Sequence, residues 1–459
     1  MIVRRVSAVA AALAAVAGAL FLAAHTHAAP PRMLADLNPT PGEGSQPGAF
    51  ARPGKRVLFG AATSGIDVEL WRTDGTARGT KLLKRIQPGP EGSNPHGFTR
   101  LGKRTLFAAD DGEHGIELWR TDGTARGTKL VRDIYPGVEN GVYDPIRFAR
   151  LGRHLYFVGR RANTGLELWR TDGTKRGTRL VRDIAPGPAD GVPGFAFNQV
   201  RLGGRLLFAA FTGPGGTFQF WRTDGRKRGT RRVAPTKAGY EPAPVRLGRH
   251  VYFTGADSRG YELWRTNGTK RGTKRVKDIA PGSADGDPRS IVKLGKVLLF
   301  DADDGTHGRE LWRSRGTAKS TRLVRDVVPG PDPFNPGRLV VFGKQAFFQG
   351  NDGTTGEEPW VSDGTAKGTR LLRDINPTGS SMIYFSAPTR FGKRVVFSAT
   401  DAADNYELWV TDGKPNGTRK FEVNPTAGSF PYAFKPVGRA LYFGANDGTN
   451  GTEPWIWRP

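Results

Sequence analysis

Glu117–Thr128 reads ELWRTDGTARGT, and this stretch decides the fold. Glu117, Leu118, Trp119, Arg120 and Thr121 alternate polar and apolar, the pattern of a half-buried strand. Asp122-Gly123 is a hairpin signal, because Gly takes positive φ without penalty and Asp bonds its own backbone two residues on. Gly127-Thr128 ends the turn and leads into a second strand over Lys129–Ile134. The same stretch recurs around Trp71, Trp119, Trp169, Trp221, Trp264, Trp312, Trp360, Trp409 and Trp455, at spacings of 48, 50, 52, 43, 48, 48, 49 and 46 residues. Such a period marks a propeller, a solenoid or an array. A residue present in every copy then serves the fold first, and a residue present in one copy is a candidate for a site.

One unit runs from Pro95 to Ile134. It divides into a short strand a (Gly97–Leu101), a Gly102-Lys103 turn, an apolar strand b (Arg104–Ala109) and a polar loop (Asp110–Gly115). Strand c (Ile116–Thr121), the Asp122–Gly127 turn and strand d (Thr128–Ile134) complete it. No window carries a 3.6-residue period, so the chain is all-β. Four short antiparallel strands make one blade of a β-propeller. Blades packed face to face would bury Phe107, Leu118, Trp119 and Leu130 and their equivalents. The last copy stops at Pro459 without a strand d, while Arg32–Pro39 (RMLADLNP) is an orphan resembling the strand d segment 130–136. The N-terminal strand is therefore expected to complete the last blade and remove a sheet edge. The count predicts about nine four-stranded blades, above the usual four to eight. Two smaller propellers or an open array are the alternatives, with the 43-residue spacing between Trp221 and Trp264 as the break.

ELWRTDGTARGTKLVRDI and its relatives resemble the repeat of the bacterial exported ELWxxDGT-repeat proteins, over essentially all of residues 33–459. The resemblance implies an exported, repeat-built, propeller-like protein and no particular reaction. Three copies depart from the pattern: Gln219-Phe220-Trp221 replaces Glu-Leu-Trp, Ser314-Arg315-Gly316 replaces Thr-Asp-Gly, and the last copy ends after its Trp.

Residues 1–28 read as a signal peptide, with Arg4 and Arg5 before an apolar Ala8–Ala24 run and a small-residue cleavage site at Thr26-His27-Ala28. The repeat domain is 29–459, and its expected place is the periplasm, the cell surface or the medium. The chain has no Cys, which excludes disulfides, thiolate metal sites and cysteine nucleophiles. It carries 69 Lys and Arg against 43 Asp and Glu, a net charge of +26. A field of that sign attracts polyanions.

Glu69, Glu117, Glu167, Glu262, Glu310, Glu358, Glu407 and Glu453 each stand two residues before a Trp. Eight alike carboxylates do not suit acid–base catalysis, which needs one or two in distinct environments. Pairing with the Arg of Leu-Val-Arg-Asp-Ile is expected instead. The b–c loops Asp110–Glu117, Asp303–Glu310, Asn351–Glu358 and Asn446–Glu453 share a [DN]-D-G-x-x-G-x-E pattern that could bind calcium, the only cofactor implied, although Asp-Gly equally suits a plain turn. His96, His114, His154, His250 and His307 form no ligand-spaced cluster, and no nucleophile or phosphate-loop motif is present.

The cations are the most informative set. Lys55, Lys103, Arg153, Arg249, Lys296, Lys344, Lys393 and Arg439 follow the Gly of turn a–b. Arg78, Arg126, Arg176, Arg228, Arg271, Lys319 and Lys367 precede the second Gly of turn c–d. In an up-and-down blade these two turns share one face of the disc. The expected polyanion-binding residues are Lys103, Arg126, Arg153, Arg176, Arg249, Arg271, Lys296, Lys319, Lys344, Lys367 and Lys393. The expected function is an exported non-enzymatic propeller that binds or scaffolds, with an anionic polymer such as cell-surface polysaccharide or extracellular DNA as partner. An exported propeller enzyme acting on a glycan is the alternative.

Overall fold

The computed structural model describes residues 29–52, 54–194, 197–211, 216–238, 244–382, 386–401 and 405–459. The signal peptide read over 1–28 lies outside the described residues. Among the described residues there is no α-helix, and the strands form nine four-stranded antiparallel blades of a single β-propeller. Blade two has strands a–d at His96–Leu101, Arg104–Asp110, Ile116–Thr121 and Lys129–Arg132. Strand d is shorter than the alternation suggests, because Ile134 turns under the blade and is fully buried there. Phe107 pairs with Trp119 and Trp119 with Leu130, and the register slips between Leu118 and Trp119. Such a slip adds twist to the sheet.

Nine hydrophobic clusters lie between blades, one at each of the nine interfaces. Between blades two and three, Leu106, Leu118 and Val131 meet Leu155, Phe157 and Trp169. Trp119 and Trp169 are 6% and 1% exposed, so these rings are core. An unbroken circle of interfaces rules out two smaller rings and an open array. Strand a of blade one (Gly48–Ala51) touches strand a of blade two and strand a of blade nine (Tyr432–Val437), so the first strands surround the axis.

Closure uses the N-terminus, as the orphan segment predicts. Arg32–Met33 pairs with Thr452–Trp457, matching Arg32 to Ile456 and Met33 to Trp455. Leu34 and Leu37 are buried with Val57, Phe59 and Tyr442.

The short spacing between Trp221 and Trp264 is not a break. Strand d of blade four, Arg231–Ala238, runs on and pairs with strand b of blade five, His250–Asp257, at Lys237–Ala256 and Ala238–Gly255. Two blades thus merge into one eight-stranded sheet.

The expected Glu–Arg pairing does not occur. The Glu carboxylates lie inside and accept backbone N–H groups from the segment after strand d. Glu117 accepts from Tyr135 at 2.9 Å, and Glu167 from Ile184 and Ala185, both at 2.9 Å. These buried donors need an acceptor, and the carboxylate supplies it. The Arg of strand d instead crosses to the next blade: Arg132 donates to the Thr178 carbonyl at 2.6 Å and lies over the Trp169 ring at 5.9 Å. Lys84 and Arg182 make the same crossing to Thr128 and Thr230.

The carboxylates are not all alike. Ser93, Ser381, Ser429 and Ser45 donate hydroxyls to Glu69, Glu358, Glu407 and Glu453 at 2.6–2.8 Å. At the corresponding places beside Glu117 and Glu167 stand Gly141 and Gly191, where a Cβ would collide with the carboxylate. One oxygen of Glu117 and one of Glu167 are left buried without a partner. Burial pushes the pKa of both up to about 8, and the backbone N–H bonds only partly offset it.

Candidate functional site

The antiparallel order a-b-c-d puts the a–b and c–d turns of every blade at one end of the propeller. The c–d turn is rigid. Asp122 Oδ1 accepts from the Thr124 N–H at 2.9 Å and the Thr124 hydroxyl at 2.7 Å. Gly127 N–H donates to Thr124 Oγ1 at 2.9 Å, and Thr121 and Thr128 hydroxyls meet at 2.7 Å. The Thr124 hydrogen bonds hold the Asp122 carboxyl below its ordinary pKa. Gly127 is required because a Cβ there would overlap that carboxylate.

Three groups of cations stand at this end. One group stitches blades together. Arg120 donates to the Gly173 carbonyl of the next blade at 2.9 Å, and Arg72, Arg170, Arg222, Arg265 and Arg313 repeat the contact. Where Val361 replaces that Arg, Arg370 reaches Gly413 instead, and Arg32 and Arg458 both reach Gly75 across the closure. A second group is exposed at the turn tips: Lys103, Arg126, Arg153, Arg176, Arg249, Arg271, Lys296, Lys319, Lys344, Lys367 and Lys393. None of these eleven takes part in an ion pair among the described residues.

A third set went unread in the sequence. Arg52, Arg100, Arg150, Arg201, Arg246, Lys293 and Arg390 are exposed at equivalent places on the innermost strands or just beyond them. Arg52, Arg100, Arg201, Arg246 and Arg390 donate Nε–H to the carbonyl of the turn Gly two residues on, at 2.9–3.2 Å. Arg150 reaches the Arg100 carbonyl of the neighbouring blade. The six arginines are thus held beside the a–b turns on the innermost strands. The signal for them was the Arg two residues before the Gly of turn a–b.

Shallow clefts separate the turns. One of about 350 Å³ lies on the innermost strands between Arg52, Arg100 and Lys435. Another of about 290 Å³ in blade two is lined by Arg104, Arg120, Arg126 and Lys129 around the single carboxylate of Asp122. The field at this end is visible in two histidines. Burial, then Arg170 and Arg153, pull His154 below its ordinary pKa, and burial, then Arg265 and Lys274, do the same to His250.

The opposite end carries the Asp-Gly loops. Asp111 Oδ1 accepts from Glu113 and His114 N–H at 3.1 and 2.9 Å, and Asp110 from Gly112 N–H at 2.8 Å. Asp111 also faces the His114 ring, with Nδ1 3.0 Å from Oδ2, so these carboxylates are engaged within their own loop. Among the described residues no group of three or more His, Asp or Glu could hold a metal ion.

No family model and no curated protein matches the chain. Among solved structures it is similar to the computationally designed Ika8 protein, at 15% identity and a TM-score of 0.42, covering 93% of this chain and 100% of that one. It is also similar to a puromycin-hydrolysing peptidase of Mycobacterium tuberculosis, at 12% identity and a TM-score of 0.42, covering 79% of this chain and 58% of that one. A prolyl endopeptidase matches at 12% identity and a TM-score of 0.42, over 82% of this chain and 55% of that one. The chain spans just over half the length of these two peptidases.

Proposed function

We propose that the protein is an exported, non-enzymatic propeller of the ELWxxDGT-repeat type that binds or scaffolds an anionic polymer on its a–b/c–d end. The observation that carries this reading is the eleven exposed turn cations at one end, none of which makes an ion pair among the described residues. The innermost-strand arginines extend the same charge inward. The blade-two and innermost-strand clefts hold at most one carboxylate each, and Asp122 belongs to its turn, which disfavours acid–base chemistry on a glycan there. The arrangement suits cell-surface polysaccharide or extracellular DNA, because charge spread over many copies tracks an extended chain.

Binding of this kind releases counterions, so retention on heparin or DNA should fall steeply with salt. Reversing Lys103, Arg126, Arg153 and Arg176 together to Glu should shift elution to markedly lower salt than four reversals elsewhere. Equal elution of wild type and variant overturns the reading. A second readout is the titration of His154 by NMR: polymer bound over Arg153 should raise its pKa toward the ordinary value.

A further inference from the structure

One turn of this face is built differently from the others. The c–d turn carries Asp in blades one, two, three, four, seven and eight and Asn267 in blade five. In blade six it carries Arg315, and Ser320 stands where the others have Gly. The two changes compensate each other. Without a carboxylate in the turn there is room for a side chain at 320, and Ser320 Oγ takes over the lost acceptor role. It accepts from the Arg315 N–H at 3.1 Å and the Thr317 N–H at 3.2 Å, and donates to the Thr317 carbonyl at 3.0 Å. The Ser314 and Thr321 hydroxyls still meet at 2.7 Å, and Gly316 keeps a φ of 89°, against 92° at Gly123. The turn keeps its course, with Ala318–Ser320 tightened into a 3-10 turn, and its charge is of the opposite sign.

The result is a cleft of about 500 Å³ lined by Arg313, Arg315, Thr317, Lys319, Ser320 and Arg322, with no acid in its wall. Arg315, Lys319 and Arg322 are exposed and make no ion pair among the described residues. Arg313 is fixed by its bond to the Gly364 carbonyl at 2.7 Å. The acid whose field reaches Arg313 is Asp363, in the next blade's turn. A fold-only role does not explain an Arg here, since Asp with Gly makes the same turn in six other blades. Four converging cations flanked by hydroxyls fit a compact, multiply charged oxyanion, with guanidinium groups offering paired N–H donors.

We infer that the blade-six turn is a specific binding site for a tetrahedral oxyanion, a sulfate or phosphate ester. It would act as an anchoring subsite for the anionic polymer, and the inference rests on that reading of the face.

The test is the double variant Arg315→Asp/Ser320→Gly in the mature chain, which restores the turn of the other blades and so keeps the fold. Calorimetric titration with inorganic sulfate and inorganic phosphate should show binding to wild type and about tenfold or more weakening in the variant. No binding to wild type, or equal binding to both, overturns the inference. A sulfated disaccharide and a sugar phosphate, titrated in parallel, distinguish the two esters by the tighter binder. A carboxylate-only disaccharide that binds as tightly as either overturns the assignment to tetrahedral anions. Failure of the wider reading looks different. The Lys103, Arg126, Arg153, Arg176 variant would then elute from heparin with wild type, while inorganic anions still distinguish Arg315→Asp/Ser320→Gly.

Discussion

The seam between blades two and three and the seam between blades four and five hold the ring together by different means. At the first, strand d ends early, Glu117 accepts the N–H of Tyr135, and Arg132 crosses to Thr178 and the face of Trp169. At the second, Gln219 stands for the Glu and Ala234 for the Arg. Arg232 donates to Gln219 Oε1 at 3.1 Å, strand d continues straight into pairing with blade five, and Phe220 packs at a tilt of 49° against Phe253, 4.0 Å between centroids. Only the bond from strand c to the next turn, Arg222 to Gly268 at 2.7 Å, is kept. Both the buried carboxylate and the crossing cation are absent where the chain runs on as a strand. The carboxylate serves a chain that turns back between blades and does so without the cation as well: Glu407 keeps the N–H groups of Val423 and Asn424 although Phe421 takes the place of the Arg in strand d.

The closure seam uses the carboxylate device between the two ends of the chain. Glu453 accepts the Leu37 N–H at 3.0 Å, the Ser45 N–H at 2.9 Å and the Ser45 hydroxyl at 2.8 Å. Deleting residues 29–40 removes these donors in part, exposes the edge of blade nine and uncovers the pocket of Leu34 and Leu37. Burial of the two leucines alone is worth roughly 3–6 kcal/mol. The melting temperature should fall by far more than for any single substitution below. An unchanged melting temperature would mean that the ring does not depend on its latch.

Much of this was legible in particular residues. The Trp spacing and the Asp-Gly pairs predict the blades, and RMLADLNP predicts the latch, because a strand leaves its pattern of side chains on the sequence. The partner of Glu117 was not legible, since it is a backbone N–H that carries no residue signature, and the nearby Arg of strand d drew the assignment instead. The merged sheet was misread for a related reason: loss of a loop shortens the spacing as a break would. On the candidate face, the turn-tip cations were readable from their place beside Gly. Arg100 and its equivalents were not singled out, because an Arg in an alternating strand looks like ordinary solvent-facing polarity. At Ser320 only the compensation with Arg315 is informative, and that needs the geometry.

Trp169→Ala and Trp264→Ala probe the two kinds of seam directly. Each should destabilise by about 3–5 kcal/mol, measured by denaturant midpoints. Trp169 should lie at the upper end. Arg132 and Arg161 lie over its ring at 5.9 and 4.8 Å, and such contacts add roughly 0.5–1 kcal/mol each. Equal losses would mean that the crossing cations contribute nothing to the regular seam.

Arg132→Ala removes one crossing bond and one ring contact, and should cost about 1–2 kcal/mol. Arg232→Ala, at a seam with no crossing cation, should cost less. The reverse order would show that the Arg232–Gln219 bond within blade four steadies its seam more than the crossing cation steadies the regular one.

The smallest loss belongs to Glu117→Gln, and its value lies in its slope with pH. Gln keeps an oxygen for the Tyr135 N–H, so at acid pH, where both side chains are neutral, the loss should be only about 1 kcal/mol. Burial raises the folded-state pKa of Glu117 to about 8, from an ordinary value of 4.5. Folding therefore takes up a proton between those two pH values. Where the native state binds more protons than the unfolded one, stability falls as pH rises. The wild type should lose stability between about pH 4.5 and 8, and Glu117→Gln should lose less over the same window. The gap between the two should close as pH rises and change sign toward pH 8. Glu69, whose carboxylate receives the Ser93 hydroxyl at 2.6 Å, should show a weaker slope when changed to Gln. Gln219 is already neutral, so the four–five seam has no such carboxylate to titrate. Parallel stability–pH curves for wild type and Glu117→Gln would mean that the carboxylate stays ionised inside the blade, held by its N–H donors against burial.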